Sequence, residues 1–146
     1  MTTKQAVGFW VLVTAAAIGT SMTVTGLAHA APPSVGPVLV WKQQMMLHSA
    51  DERISGYLMY RGFSTGERVL TLYLADMPVG DYKVWFNEHS FGEVAITSAG
   101  DAKFEWTTEN RPGTFKMPEE IPITFREGDV IRIADLLAGV YPGLRE

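Results

Sequence analysis

The sequence predicts an all-β fold, an antiparallel β-sandwich of about seven to eight short strands, preceded by an N-terminal apolar leader helix. Three observations predict it. Apolar and polar residues alternate along several short runs, as on strands with one buried face. Turn-forming residues interrupt the chain about every ten positions. No amphipathic helical period appears between residues 51 and 134.

The chain opens MTTKQAVGFWVLVTAAAIGTSMTVTGLAHA, followed by Ala31-Pro32-Pro33. Lys4 is the only charge before Lys42, Ala6–Ile18 is an apolar run, and Ala28-His29-Ala30 offers small residues around a cleavage point. This pattern reads as a signal peptide over 1–30, and hence as export to the periplasm or the extracellular space. The competing expectation is a retained single-pass anchor, because Ala6–Ala28 supplies 23 uncharged residues. Gly19, Thr20, Ser21, Thr23, Thr25 and Gly26 make the second half of that run weakly apolar and favour cleavage. Residues 31–37 read as a Pro/Gly/Ser linker, and 38–146 as the β-sandwich domain.

Within the domain, Val38–His48 is expected to hold a first strand, although Gln43-Gln44-Met45-Met46 has no clean period and is also compatible with a helix. Arg53–Arg61 sets Ile54, Gly56, Leu58 and Tyr60 against Ser55, Tyr57 and Met59. After a turn at Gly62–Gly66, Glu67–Ala75 places Leu70, Leu72 and Leu74 on one face. Asp76–Asp81 is a cluster of strand breakers, and Tyr82–Phe86 then alternates strictly, with Trp85 and Lys83 opposite Tyr82, Val84 and Phe86. Asn87–Ser90 reads as a turn, Phe91–Thr97 as a strand with Val94 and Ile96, and Ser98–Asp101 as a tight turn. Ala102–Thr108 alternates Phe104 and Trp106 with Lys103, Glu105 and Thr107. Glu109–Glu120 is expected to be a loop. Ile121–Phe125 and Val130–Ile133 are expected to pair as a hairpin across Glu127-Gly128-Asp129. The apolar tail Asp135–Glu146 is expected to add a last strand or a short cap.

Leu74-Ala75-Asp76-Met77-Pro78-Val79-Gly80-Asp81-Tyr82-Lys83-Val84 resembles the L-x-x-L-P-x-G-x-Y-x-V signature of prealbumin-like and carboxypeptidase-regulatory-like β-sandwiches. The wider run is similar to small secreted bacterial domains of unknown function. The matching stretches are Gly56–Arg61, Met77–Val84, Gly92–Phe104 and Gly128–Ile133. Met77 stands where the usual residue is Leu, and Phe86-Asn87-Glu88-His89 departs from the usual small-residue turn. The resemblance implies an immunoglobulin-like sandwich outside the cytoplasm. It carries no catalytic residue across, and fold alone does not license function.

Composition narrows the function classes. Without residues 1–30, the remaining 116 carry 11 Lys and Arg against 16 Asp and Glu, a formal charge of −5. An acidic domain without a basic cluster does not suit nucleic acid, whose phosphates must be neutralised by grouped cations. The chain has no cysteine, which removes disulfides, thiolate metal sites and thiol nucleophiles.

Candidates for chemistry are few. His89 beside Glu88 is a weak metal-ligand pair, since zinc needs three or four ligands and the chain beyond residue 30 has only one other histidine, His48. Asp76, Asp81, Asp101 and Asp129 each fall at a turn, where Asp closes hydrogen bonds onto its own backbone. They lack the spacing of a calcium loop. No serine lies in a nucleophile-elbow context. The stronger candidates are aromatics: if Tyr82, Val84 and Phe86 face the core, Trp85 and Lys83 form one outer surface, which Tyr57 and Tyr73 extend if their strands neighbour it, whereas in the other register Trp85 is the buried one. The sequence therefore points to a non-enzymatic exported binding or structural module of the cell envelope, without cofactor, meeting a protein or glycan partner. Two alternatives stand beside it: a membrane-tethered accessory subunit, with membrane contact only through a retained leader, and a small metal-dependent envelope hydrolase.

Overall fold

Residues 35–144 are described in a computed structural model, and over them the chain is all-β. The leader over 1–30, with its alternative as an anchor, lies outside the described residues. Nine strands follow in order: β1 (Leu39–Leu47), β2 (Ser55–Phe63), β3 (Arg68–Met77), β4 (Gly80–Phe86), β5 (His89–Ile96), β6 (Gly100–Thr107), β7 (Phe115–Lys116), β8 (Val130–Ile133) and β9 (Leu137–Val140). They form two sheets, a five-stranded one ordered β1-β2-β3-β6-β7 and a four-stranded one ordered β5-β4-β8-β9. All pairings are antiparallel except the short β6–β7 contact.

The alternation along each strand decides what lies between the sheets. From the five-stranded sheet come Met45, Leu47, Leu58, Tyr60, Leu70, Leu72, Leu74 and Trp106; from the other, Val84, Phe86, Val94, Ile96, Ile131, Ile133 and Leu137. Each large apolar side chain so buried contributes about 1.5–3 kcal/mol, which is what a chain without disulfides depends on. The Gln43–Met46 stretch is strand, because alternate burial of Gln43, Met45 and Leu47 serves the core and a helix there would not.

Chain breaks differ from expectation in several places. β2 runs on through Gly62 and Phe63, and β6 already begins at Gly100, although both sites were expected in turns. The breaker cluster at Asp76 does not end β3. Asp76 takes a positive φ of 56° and the ladder to β6 shifts register between Leu74 and Met77, so the strand bulges and buries Met77 before Pro78 turns the chain into the other sheet. The turn after Phe86 needs only Asn87 and Glu88, with His89 already pairing Phe86. The expected loop Glu109–Glu120 includes β7, which runs parallel to β6.

The largest correction concerns Ile121–Phe125. It is not a strand, and Glu127-Gly128-Asp129 is not a hairpin connection. β8 pairs instead with β4 and β9, so the apolar tail supplies a last strand. Segment 117–125 lays Met117, Ile121 and Phe125 into the core as an irregular plug. Its backbone is held by side chains: Gln43 Nε2 donates to the Phe125 carbonyl at 2.9 Å, and the Phe125 N–H donates to Gln43 Oε1 at 2.7 Å. The Tyr60 hydroxyl donates to the Pro122 carbonyl at 2.6 Å, and Arg68 donates to the Tyr60 oxygen at 2.8 Å and to the Pro122 carbonyl at 3.1 Å. Burial pushes the Tyr60 hydroxyl above its ordinary pKa of 10.0, partly offset by the Arg68 charge and hydrogen bond. Phe125 also packs against the rings of Tyr60, Phe86 and Tyr141.

The two sheets also meet at a seam. The His48 N–H donates to the Ala138 carbonyl at 2.8 Å and the Ala138 N–H to His48 at 3.0 Å, so β1 and β9 are bridged once before they diverge. Gly139 makes the approach possible: a Cβ there would lie 2.3 Å from the Met46 carbonyl oxygen and 2.8 Å from a Leu47 methyl.

Candidate functional site

Registers in the five-stranded sheet place outward side chains in rows across the strands. Met46 pairs with Tyr57, Tyr57 with Tyr73, and Tyr73 with Lys103. The next row is Gln44, Met59, Thr71 and Glu105. With strands about 4.8 Å apart, each four-residue row spans about 14 Å of surface.

The first row is aromatic at its centre. Tyr57 and Tyr73 stack with centroids 4.4 Å apart and planes inclined by 18°. They oppose each other directly on neighbouring strands, so the stack axis runs across the strands and the rings offer their edges to solvent. Lys103 places its ammonium 5.8 Å from the Tyr73 ring centroid, on the outer side of the stack. Beside the rings lies a groove of about 420 Å³, lined in part by Met46, Ser55, Ala75 and Asp101.

The second row is tied together by polar side chains and joins the first through Lys103. Thr71 is fully buried although it points away from the core. Arg61 donates to Thr71 Oγ1 at 3.2 Å, and that hydroxyl donates to Glu105 Oε2 at 3.4 Å. Lys103 closes the network onto Glu105 at 3.4 Å. One donor in it, Arg61 Nε, is buried without a partner among the described residues. Its uncompensated desolvation is a local cost of covering this face with long side chains. Edgeward, the buried Glu67 carboxylate accepts from Thr107 at 3.0 Å and from Arg111 at 2.5 Å, which anchors the 108–114 loop.

Trp85 and Lys83 do not belong to this face. Both lie on β4, in the other sheet, so the expected single patch of Trp85, Lys83, Tyr57 and Tyr73 divides into two pairs on different sheets. On its own sheet Trp85 is half-buried, opposite Arg132, whose guanidinium lies 5.1 Å from the indole centroid. Lys83 is exposed opposite Glu93. The outer face of this sheet thus carries the cations Lys83 and Arg132, with Glu93 opposite Lys83 in the ladder.

Glu88 and His89 are both exposed at the tip of the β4–β5 hairpin. The neighbouring Asn87 does the structural work there: its N–H donates to the Val130 carbonyl at 2.8 Å and its side chain accepts from the Val130 N–H at 2.9 Å. Among the described residues no three His, Cys, Asp or Glu side chains are grouped to hold a metal ion. Of the turn acids, Asp129 is used by the fold, accepting from the Arg126 N–H at 2.8 Å.

Met46 and Lys103 were not offered as site residues by the sequence, and Asp101 was weighed only as a turn acid. Alternation along Ala102–Thr108 marked Lys103 as outward, whereas Met46 lay in a stretch without a clean period and Asp101 in an expected turn; their meeting with Tyr57 and Tyr73 depends on the strand order β1-β2-β3-β6, which alternation does not encode. No family model matches the chain, and no curated protein or solved structure does so either.

Proposed function

We propose that this chain is a non-enzymatic exported binding module of the cell envelope, engaging a protein partner through the outer face of its five-stranded sheet. The observation that carries the reading is the cross-strand row Met46–Tyr57–Tyr73–Lys103. Tyrosines give large contact area at low side-chain entropy, and methionine adapts to a partner's shape. The rings are ordered by their stack, and Lys103 beside Tyr73 is tied to Glu105 of the neighbouring row, so less ordering is left for binding to accomplish. A sugar ring needs an open aromatic face, whereas here the two inner ring faces cover each other and Lys103 flanks the outer face of Tyr73. Edge and hydroxyl contacts suit a polypeptide better than a glycan. Export rests on the leader pattern of residues 1–30.

The test is affinity recovery from the envelope fraction of the native cells, comparing the native protein with a Tyr57→Ala/Tyr73→Ala double variant and with Trp85→Ala. A stoichiometric protein lost with the tyrosine variant and kept with Trp85→Ala supports the reading. Loss with Trp85→Ala alone moves the site to the four-stranded sheet, and recovery of no stoichiometric protein overturns it. An N-terminus at Ala31 on the recovered chain supports export with cleavage, while retention of Met1 in membranes overturns the cleavage.

A further inference from the structure

We infer that Tyr57 and Tyr73 form an oxidative cross-linking site, at which a one-electron oxidant of the peroxidase class, supplied with hydrogen peroxide, joins the two rings as dityrosine. The inference rests on their geometry and chemistry, and it holds whether or not the same face binds a partner. Of the chain's five tyrosines, these are the only two whose rings meet among the described residues, at 4.4 Å and 18°. Tyr60 and Tyr82 have their hydroxyls tied to the carbonyls of Pro122 and Pro78, and Tyr141 is buried beside Phe125. The Tyr57 and Tyr73 hydroxyls, by contrast, have no hydrogen-bond partner among the described residues. Both rings are half-buried and border an open groove, so an oxidant at the surface can take electrons from them while their protons pass to solvent.

The reaction balances as follows. Each phenol gives one electron and one proton to the oxidant, leaving two phenoxyl radicals whose unpaired spin extends to the ring carbons beside the oxygen. Those carbons couple, one from each ring, in a new C–C bond. The two hydrogens on the coupled carbons return through solvent to the oxygens and restore both aromatic rings. The sum is two tyrosines and one hydrogen peroxide giving one dityrosine and two waters. Directly opposed rings at 4.4 Å keep the two phenoxyls in contact, and because the new C–C bond lies in the plane of each restored ring, the stack opens by rotation about the side-chain bonds as the rings become aromatic again. The product ties β2 covalently to β3 in a chain that has no cysteine with which to form a disulfide.

The test treats the full chain, at a concentration that keeps it monomeric, with a haem peroxidase and hydrogen peroxide. Dityrosine fluorescence, intact mass and cross-linked peptides are then measured. The expected product is a monomer lighter by two hydrogen atoms, with a Tyr57 peptide joined to a Tyr73 peptide. Tyr57→Phe and Tyr73→Phe each keep the stacked ring and the fold, verified by an unchanged melting temperature, yet each abolishes the intramolecular product. Tyr82→Phe leaves it intact. A link that maps to another tyrosine, a product confined to covalent dimers, fluorescence surviving in Tyr57→Phe, or methionine oxidation without dityrosine would each overturn the inference.

Discussion

The β1–β9 seam and the 117–125 plug both close the space between the sheets, and they do so with different chemistry. The seam is backbone on backbone. Two N–H···O=C bonds join His48 to Ala138, and the strands come close enough only because position 139 carries no side chain. The plug is backbone on side chain, with the Gln43 amide serving Phe125 as a strand neighbour would, and with Tyr60 and Arg68 converging on one carbonyl of Pro122. A backbone seam tolerates any sequence that fits sterically, so its weakness is volume. A side-chain clasp depends on particular functional groups, so its weakness is chemistry.

The sharpest way to break this contrast is to add volume at the seam. Gly139→Ala puts its Cβ against the Met46 carbonyl oxygen, a backbone atom that cannot turn aside as a flexible side chain would. The expected loss is about 3 kcal/mol, read as the change in denaturant midpoint at constant slope. Next comes Gln43→Leu, which keeps the approximate size of the side chain but strands the N–H and C=O of Phe125. It should cost about 2 kcal/mol by the same measurement, and the Phe125 amide should lose hydrogen-exchange protection. An effect of Gln43→Leu as small as that of an ordinary surface change would show that water replaces the clasp.

Smaller again is Tyr60→Phe, which removes one hydrogen bond to Pro122 and should cost about 1 kcal/mol at neutral pH. Its signature is in pH. The Tyr60 pKa is raised in the folded state, so its contribution is fully present below 10.0 and is lost as pH rises through the folded-state value. The native protein should therefore lose stability in that alkaline range, and the slope should be shallower in Tyr60→Phe; parallel slopes would count against the assignment. The smallest effect belongs to a pair outside both closures. Arg53 donates to Asp51 at 3.0 Å and lowers its pKa through hydrogen bonds, but both groups are open to water. Arg53→Ala should leave the melting temperature unchanged at neutral pH.

The same contrast marks what the sequence could tell. Strands whose register is set by one buried face were legible, as in Tyr82–Phe86 and in the Ser55–Arg61 part of β2, because alternation is the direct imprint of a two-sided element. The plug was not. Ile121 and Phe125 are apolar enough to suggest a strand, and the available counter-signal was Pro122, which has no N–H to give to a ladder. Its true partners, Gln43 and Tyr60, lie 82 and 62 residues away. The candidate site was half legible for the same reason. Alternation sends Tyr57, Tyr73 and Trp85 outward, but only the pairing of strands decides that the two tyrosines stack while Trp85 sits on another sheet beside Arg132.

The seam has a further consequence, in time. The β1–β2–β3 meander and the β4–β5 and β8–β9 hairpins each join strands that follow one another in sequence, so they can form early and locally. His48 and Ala138 stand 90 residues apart, and their bridge cannot form until the chain between them has been arranged. Chains dominated by such distant pairings fold over about milliseconds to seconds. Throughout that interval the outer edge of β1, with Val38, Leu39 and Val40 still exposed even in the finished fold, is open to the strand of any neighbouring chain. Protein concentration during folding, more than the stability finally reached, then sets how much of this chain arrives as monomer.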